Sequence, residues 1–203
     1  MAEGAVSLLS CFLSNMVNMS HPLHKFEFCP LCGSAGFAIN DASSKHCTSC
    51  GFVYYFNPRA AVVAVILDEK GRLLVARRAN EPARGTLDLP GGFTECYETA
   101  EISLSREVYE ETGITIGSCR YLFSQPNIYP YSGIDIHTMD LFFEVKVDSG
   151  TDFVSNDDVD MLRWMDLDSI NPDDFGLKSI SEGVKRIKNL YSDIALPHCE
   201  VER

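Results

Sequence analysis

Three glutamates at i, i+3 and i+4, Glu107, Glu110 and Glu111, have the type and spacing most ready to do chemistry. In a helix turning by about 100° per residue they fall within an arc of about 100°. Like charges so placed destabilise a bare helix, so a compensating cation is called for, and a hard divalent ion with oxygen ligands suits them. Arg106 lies one turn before Glu110 and is placed to orient it through a charge-assisted hydrogen bond. A solvated acidic face is the plain alternative for any run of carboxylates.

A second constellation lies earlier. Cys29-Pro-Leu-Cys32 and Cys47-Thr-Ser-Cys50 are fourteen residues apart, and Gly33 and Gly51 follow the two pairs directly. Two such knuckles bring four thiolates to one Zn²⁺ in a structural site. A thioredoxin-like redox site would show one pair, not two. Cys11, Cys96, Cys119 and Cys199 are scattered, and His46 reads as a bystander beside Cys47.

The elements that must position these groups follow from capping and periodicity. Thr99 suits a helix N-cap, Glu101 the positive end of the helix, and Gly113 the C′ position. Leu104 and Val108, four apart, give that helix an apolar face to set against a sheet. Ala60 to Asp68 is β-branched and ends at the turn Glu69-Lys70-Gly71, so Arg72 to Arg78 reads as its hairpin partner. Cys119 to Asn127, His137 to Val147 and the shorter Met161 to Leu167 are further strand candidates. Ser179 to Tyr191 has helical apolar spacing at Ile180, Val184, Ile187 and Leu190. Strands before and after a central helix indicate an α/β class, a mixed α/β sandwich. The expected organisation is a leader at 1–25, a four-cysteine ribbon at 26–56, a larger domain at 57–195 and a tail at 196–203.

With 203 residues there is room for one full-size domain and a small module. Lys and Arg total 17 against 29 Asp and Glu, a net charge of −12. That balance disfavours capture of duplex DNA, and the ribbon, with Lys45 alone inside it, lacks a basic stripe. Stabilisation or dimer formation is its expected role. The first twenty residues carry no Lys or Arg, so neither an export signal nor a transit peptide is read there, and Met19 is an alternative start. No apolar run reaches the roughly 18 residues of a membrane helix. The expected location is the cytoplasm.

From Gly92 the order is five residues, Glu98, seven residues, then Arg106-Glu107-Val108-Tyr109-Glu110-Glu111-Thr112-Gly113-Ile114, which resembles the Nudix box at all nine defined positions. The resemblance implies a Nudix α/β/α sandwich with a mixed sheet, and a hydrolase that cleaves a nucleoside diphosphate linked to another group. It implies Glu107 and Glu111 as the main Mg²⁺ or Mn²⁺ ligands and Glu110 as supporting ligand or base. Glu98 would act through metal or water, Arg106 as the orienting arginine, and Gly91 through its carbonyl. Many relatives add an acidic residue just before a Trp. In Asp157-Asp158-Val159-Asp160-Met161-Leu162-Arg163-Trp164 that position is Met161, with Asp158 or Asp160 as substitutes, which leaves the general base open.

A ribbon ahead of such a box resembles the NADH pyrophosphatase group. Ser124-Gln125-Pro126-Asn127-Ile128-Tyr129-Pro130-Tyr131-Ser132 matches five of eight defined positions of that group's signature, with Asn127 and Ile128 in place of Trp and Pro. The plant-type ribbon hydrolases of ADP-ribose and FAD are a second likeness. The implied substrate contacts are Phe93 and Tyr55 as stacking aromatics, Tyr55 coming from the partner of a homodimer, together with Gln125, Tyr129 and Ser132. NADH-like or ADP-ribose-like diphosphates are the expected substrates. FAD or nucleotide-sugar hydrolysis, removal of nucleotide caps from RNA, and non-catalytic nucleotide sensing are the alternatives.

Overall fold

The computed structural model describes residues 21–147 and 159–192, and the chain separates into two compact units between Asn57 and Pro58. The first unit carries a three-stranded antiparallel sheet in the order β1 (Phe37–Ile39), β2 (Ser44–Cys47), β3 (Val53–Tyr55). Strands this short cover little apolar surface. Phe37, Cys29 and Cys47 form the core, with Phe52 packed against it. Lys45 is buried along its stem and donates from Nζ to the Phe26 carbonyl at 2.7 Å. A core of this size needs a cross-link to persist.

The second unit comprises β4 (Arg59–Ile66), β5 (Arg72–Arg78), β6 (Leu87–Asp88), β7 (Gly91–Phe93), α1 (Ala100–Thr112), β8 (Ser118–Tyr131), β9 (Ile134–Lys146), β10 (Val159–Asp166) and α2 (Lys178–Ser192). One sheet runs β7-β4-β9-β8, with β4 parallel to β9 and its other pairs antiparallel; a second, antiparallel sheet runs β10-β5-β6. Strand alternation divides the core. Val63 and Val65 of β4 join Phe142, Ile180, Val184 and Ile187 on the α2 side. Val62, Ala64 and Ile66 join Leu104, Val108 and Phe143 on the α1 side. The result is an α/β/α sandwich, and α1 lies on the sheet through the Leu104 and Val108 face expected of it. No helix among the described residues is long and apolar enough to cross a membrane.

The expected β4–β5 hairpin does not form. The chain reverses where Asp68 Oδ1 accepts the N–H groups of Lys70 and Arg72, but only an isolated bridge, Leu67 to Leu73, joins the arms. Each strand is interior to a different sheet, β4 between β7 and β9 and β5 between β10 and β6, so neither has a free edge to offer the other. β8 also runs four residues past Asn127, through Pro126 and Pro130. It is the edge strand, where a missing N–H removes no ladder bond.

Candidate active site and cysteine cluster

α1 is fixed at both ends by its own sequence. Thr99 accepts the Ile102 N–H in its side chain, and Gly113 closes the helix with φ 72° and an N–H bonded to the Tyr109 carbonyl. This sets the acidic face in register with β7. Gly91 and Gly92 pair with Val63 and Val62 of β4, and the approach is too close for side chains. A Cβ at Gly91, whose φ is +148°, would stand 2.1 Å from the Val62 carbonyl oxygen, and one at Gly92 would stand 2.5 Å from Glu107 Oε2. Gly91 thus lets β7 lie close against β4, and Gly92 is the space into which the Glu107 carboxylate fits.

Arg106 organises those carboxylates. Its Nε donates to Glu98 Oε1 at 2.8 Å, its Nη1 to Glu107 Oε1 at 2.8 Å and Glu110 Oε2 at 3.0 Å, and its Nη2 to Glu98 Oε2 and the Phe93 carbonyl. With Ser103 also donating to it, Glu98 is held down to about 2. Burial pushes Glu107 the other way, above the usual carboxylate value, against the pull of Arg106. Glu111 turns to the strand, where its Oε2 accepts the Gly91 N–H at 2.9 Å. Arg106 was expected to orient Glu110; it bonds Glu98 and Glu107 as well. Among the described residues the one group that closes to metal-binding distance is the cysteine quartet, so the glutamates stand around Arg106 and not around a single point.

Beside them opens a cavity of about 300 Å³. Glu107, Glu111 and Gly91 to Phe93 line one part, and Arg59, Arg78, Asp88, Asn127, Tyr129, Thr138 and Asp140 line another. Phe93 and Tyr129 meet edge to face with centroids 5.4 Å apart, and the Arg59 guanidinium sits 4.2 Å over the Phe93 ring. One face of Phe93 is thus already covered. Gln125 lies partly buried on β8, and Ser132 is at the exposed β8–β9 turn with φ 52°. Neither is among the residues that line the cavity. Tyr55 is exposed on β3 of the first unit. Met161 is partly buried on β10, while Asp158 and the side chain of Asp160 lie outside the described residues.

The buried polar wall was not anticipated. Asp140 is 4% exposed and accepts from Thr138 Oγ1 at 2.6 Å and from Ser179 Oγ. Asp88 accepts from Arg78 and from the Leu89 N–H. Burial raises both carboxyls, opposed by Arg78 at Asp88 and by the two hydroxyls at Asp140. The available signal was two polar residues at alternate positions, Thr138 and Asp140, just ahead of the apolar run Leu141-Phe142-Phe143.

In the first unit the four cysteine sulfurs lie within 4.8 Å of one another. Gly33 and Gly51, at φ 73° and 77°, return their N–H groups to the Cys29 and Cys47 carbonyls, the left-handed turn each knuckle needs. The backbone N–H groups of Cys50 and Ser49 pull the Cys47 thiol down, to about 6.

The NUDIX domain model matches residues 57–183, taking in the whole of this carboxylate site. The chain belongs to the Nudix family. It is 32% identical over 147 residues to the NAD-capped RNA hydrolase NudC of Chromobacterium violaceum, a match covering 72% of this chain and 52% of that protein. It is 31% identical over 162 residues to the protein of the same name from Haemophilus influenzae, covering 79% and 59%. The chain thus spans little more than half the length of these curated relatives. Among solved structures, a Nudix hydrolase from Nitrosomonas europaea superposes with a TM-score of 0.59 at 22% identity, over 84% of this chain and 94% of that one, a likeness of fold. In Nudix terms, Gly92 to Ile114 is the box, and α1 with β7 is its framework.

Proposed function

We propose that this Nudix chain is a divalent-metal-dependent diphosphatase that cleaves the pyrophosphate bond of a nucleoside diphosphate derivative of the NADH or ADP-ribose kind. The observation that carries the reading is the juxtaposition of the Arg106-organised glutamates with a cavity of nucleotide-accepting size. Glu107, Glu110 and Glu111, with the Gly91 carbonyl, would hold Mg²⁺ or Mn²⁺. The fit is supported by the glycine cradle, which leaves room for the Glu107 carboxylate against β7. Such an ion supplies charge neutralisation at the non-bridging oxygens and a bound water of lowered pKa. The chain's own residues fix the carboxylates through Arg106, wall the cavity with Phe93 and Tyr129, and accept the attacking water's proton at a box glutamate, with Glu110 the candidate base.

The cysteine quartet is read as structural zinc. Zn–S bonds of about 2.3 Å at tetrahedral angles put the sulfurs about 3.8 Å apart. The Cys29–Cys50 and Cys32–Cys47 separations of 3.8 and 3.7 Å support it.

The names of the curated relatives favour a second substrate of the same chemistry, an NAD-capped RNA end. The net charge of −12 weighs against firm hold on a long polyanion. The deciding experiment is a product-release assay with Mg²⁺ or Mn²⁺ on NADH, NAD, ADP-ribose, FAD and an NAD-capped RNA, using the wild type and Glu111→Gln. Hydrolysis of at least one diphosphate, with kcat falling by two or more orders in the variant, is expected. No hydrolysis of any member, or full activity in Glu111→Gln, defeats the reading.

A further inference from the structure

Within this cavity one buried polar side chain is left without a role. Asn127 is 8% exposed and lines the cavity from β8, yet its amide makes no hydrogen bond to any described residue. The side chain is more than nine-tenths buried, and its amide keeps access only to the cavity, so its donor and acceptor are free for a partner that enters there. Its surroundings define that partner. In register Asn127 faces Thr138, and Asp140 lies two residues further along the same face of β9. The Thr138 and Ser179 hydroxyls each occupy one oxygen of Asp140, which leaves a further lone pair on each. Asp88, also on the cavity wall, is likewise an acceptor.

Carboxylates accept only, whereas an asparagine amide both donates and accepts. The complementary ligand group is a planar edge that carries an N–H donor beside an acceptor. The amino edge of adenine has this pattern, and asparagine pairs with it bidentately. The carboxamide of a nicotinamide ring has it too. A keto oxygen or a second carboxylate in the same place would set lone pairs against Asp140. We infer that Asn127, backed by Asp140, is a specificity-determining residue that reads an amino-bearing edge of the substrate. The inference rests on the diphosphatase reading for the substrate that brings this edge into the cavity.

The experiment compares kcat/KM in two pairs. NADH against its reduced hypoxanthine analogue tests the adenine edge; NAD against nicotinic acid adenine dinucleotide tests the carboxamide. Wild type should prefer the amino-bearing member of one pair by roughly ten- to a hundred-fold. Asn127→Leu should bring that preference close to unity, and Asp140→Asn, which adds a donor, should move it toward the keto or acid member. Equal hydrolysis within both pairs by the wild type overturns the inference and leaves the diphosphatase reading intact. If no dinucleotide is hydrolysed, calorimetric binding of AMP against IMP, and of nicotinamide mononucleotide against its nicotinic acid counterpart, decides. A preference lost in Asn127→Leu sustains the subsite without the catalysis, and equal or absent binding refutes it.

Discussion

Substituting the two adjacent glycines of β7 separates catalysis from folding, because the added methyl meets different things at each. In Gly92→Ala the new Cβ would lie 2.5, 2.6 and 2.8 Å from Glu107 Oε2, Cδ and Oε1. Ordinary contact begins at 3.4 Å, so the carboxylate must retreat by about 0.8–0.9 Å. What moves is the end of a flexible side chain, so the cost to folding should stay below about 1 kcal/mol and the fall in Tm below about 4 °C. A misplacement of about 1 Å in a catalytic group costs on the order of 100-fold, or about 2.7 kcal/mol of barrier. In Gly91→Ala the Cβ would stand 2.1 Å from the Val62 carbonyl oxygen and 3.0 Å from the Val63 Cα. That is the backbone of a strand held on both edges, and it cannot yield alone. Strain at φ +148° and overpacking together should cost about 3 kcal/mol, a fall of roughly 6–12 °C in Tm.

The assay is steady-state hydrolysis of the best diphosphate under a magnesium titration, run beside scanning calorimetry on both variants. Gly92→Ala should melt nearly as wild type while kcat drops about a hundredfold. Wild-type kcat and magnesium dependence in a folded Gly92→Ala protein would mean that the Glu107 carboxylate need not lie against β7, and the proposed metal cradle would be wrong. A Tm loss in Gly92→Ala equal to that in Gly91→Ala would refute the division between side-chain and backbone contact.

Three further outcomes are expected. On the structural-zinc reading, metal analysis should find one zinc per chain in the wild type and none in Cys47→Ser, whose first unit should open to proteolysis while the calorimetric transition of the second unit stays in place. Gly183→Ala, ordinarily stabilising in a helix interior, should here destabilise by about 1–3 kcal/mol in denaturant titration, because the Cβ would meet the Phe142 ring at 2.4 Å. For Asp140, burial raises the folded-state value above the ordinary 3.8, so its ionisation opposes folding and its stabilising contribution is lost as pH rises from that value. The Tm of Asp140→Asn relative to wild type should therefore rise between about pH 4 and pH 7, and a flat difference would contradict the assignment.

What was legible in the sequence is what is local. Thr99, Glu101 and Gly113 lie within a few residues of the helix they delimit, and the box glutamates inherit their arc from its pitch. The cysteine knuckles are equally local, each pair closed by the glycine that follows it. Pairing between strands is different. β4 lies beside β9, with Val62 opposite Leu141, and a turn at Asp68 says nothing of so distant a partner. A hairpin was the economical reading of two apolar runs around that turn, yet each run needed two ladder partners of its own. The polar wall was hidden for the same reason. Arg59, Asp88, Asn127 and Asp140 come from four different strands in two sheets, and only the tertiary fold makes them neighbours. Asn127 stood out only as a departure from a signature, and its place in the cavity wall gives that departure a physical meaning.

The charge around the cavity makes the proposed phosphate ligand dependent on bound ions. Two arginines, Arg59 and Arg78, line it against five carboxylates, Asp88, Glu95, Glu107, Glu111 and Asp140. Arg78 is engaged by Asp88, Arg59 lies over Phe93, and Arg106 nearby is held by three glutamates. No arginine there is left to meet a diphosphate with its whole charge. The field would repel such a ligand, most strongly where the walls exclude water. On the proposed reading, divalent cations on the box carboxylates would reverse that sign locally, while Asp88 on β6 and Asp140 on β9 would remain hydrogen-bond acceptors for N–H donors. The acidity that weighs against capture of a long polyanion by the chain as a whole would, inside the cavity, couple substrate binding to metal.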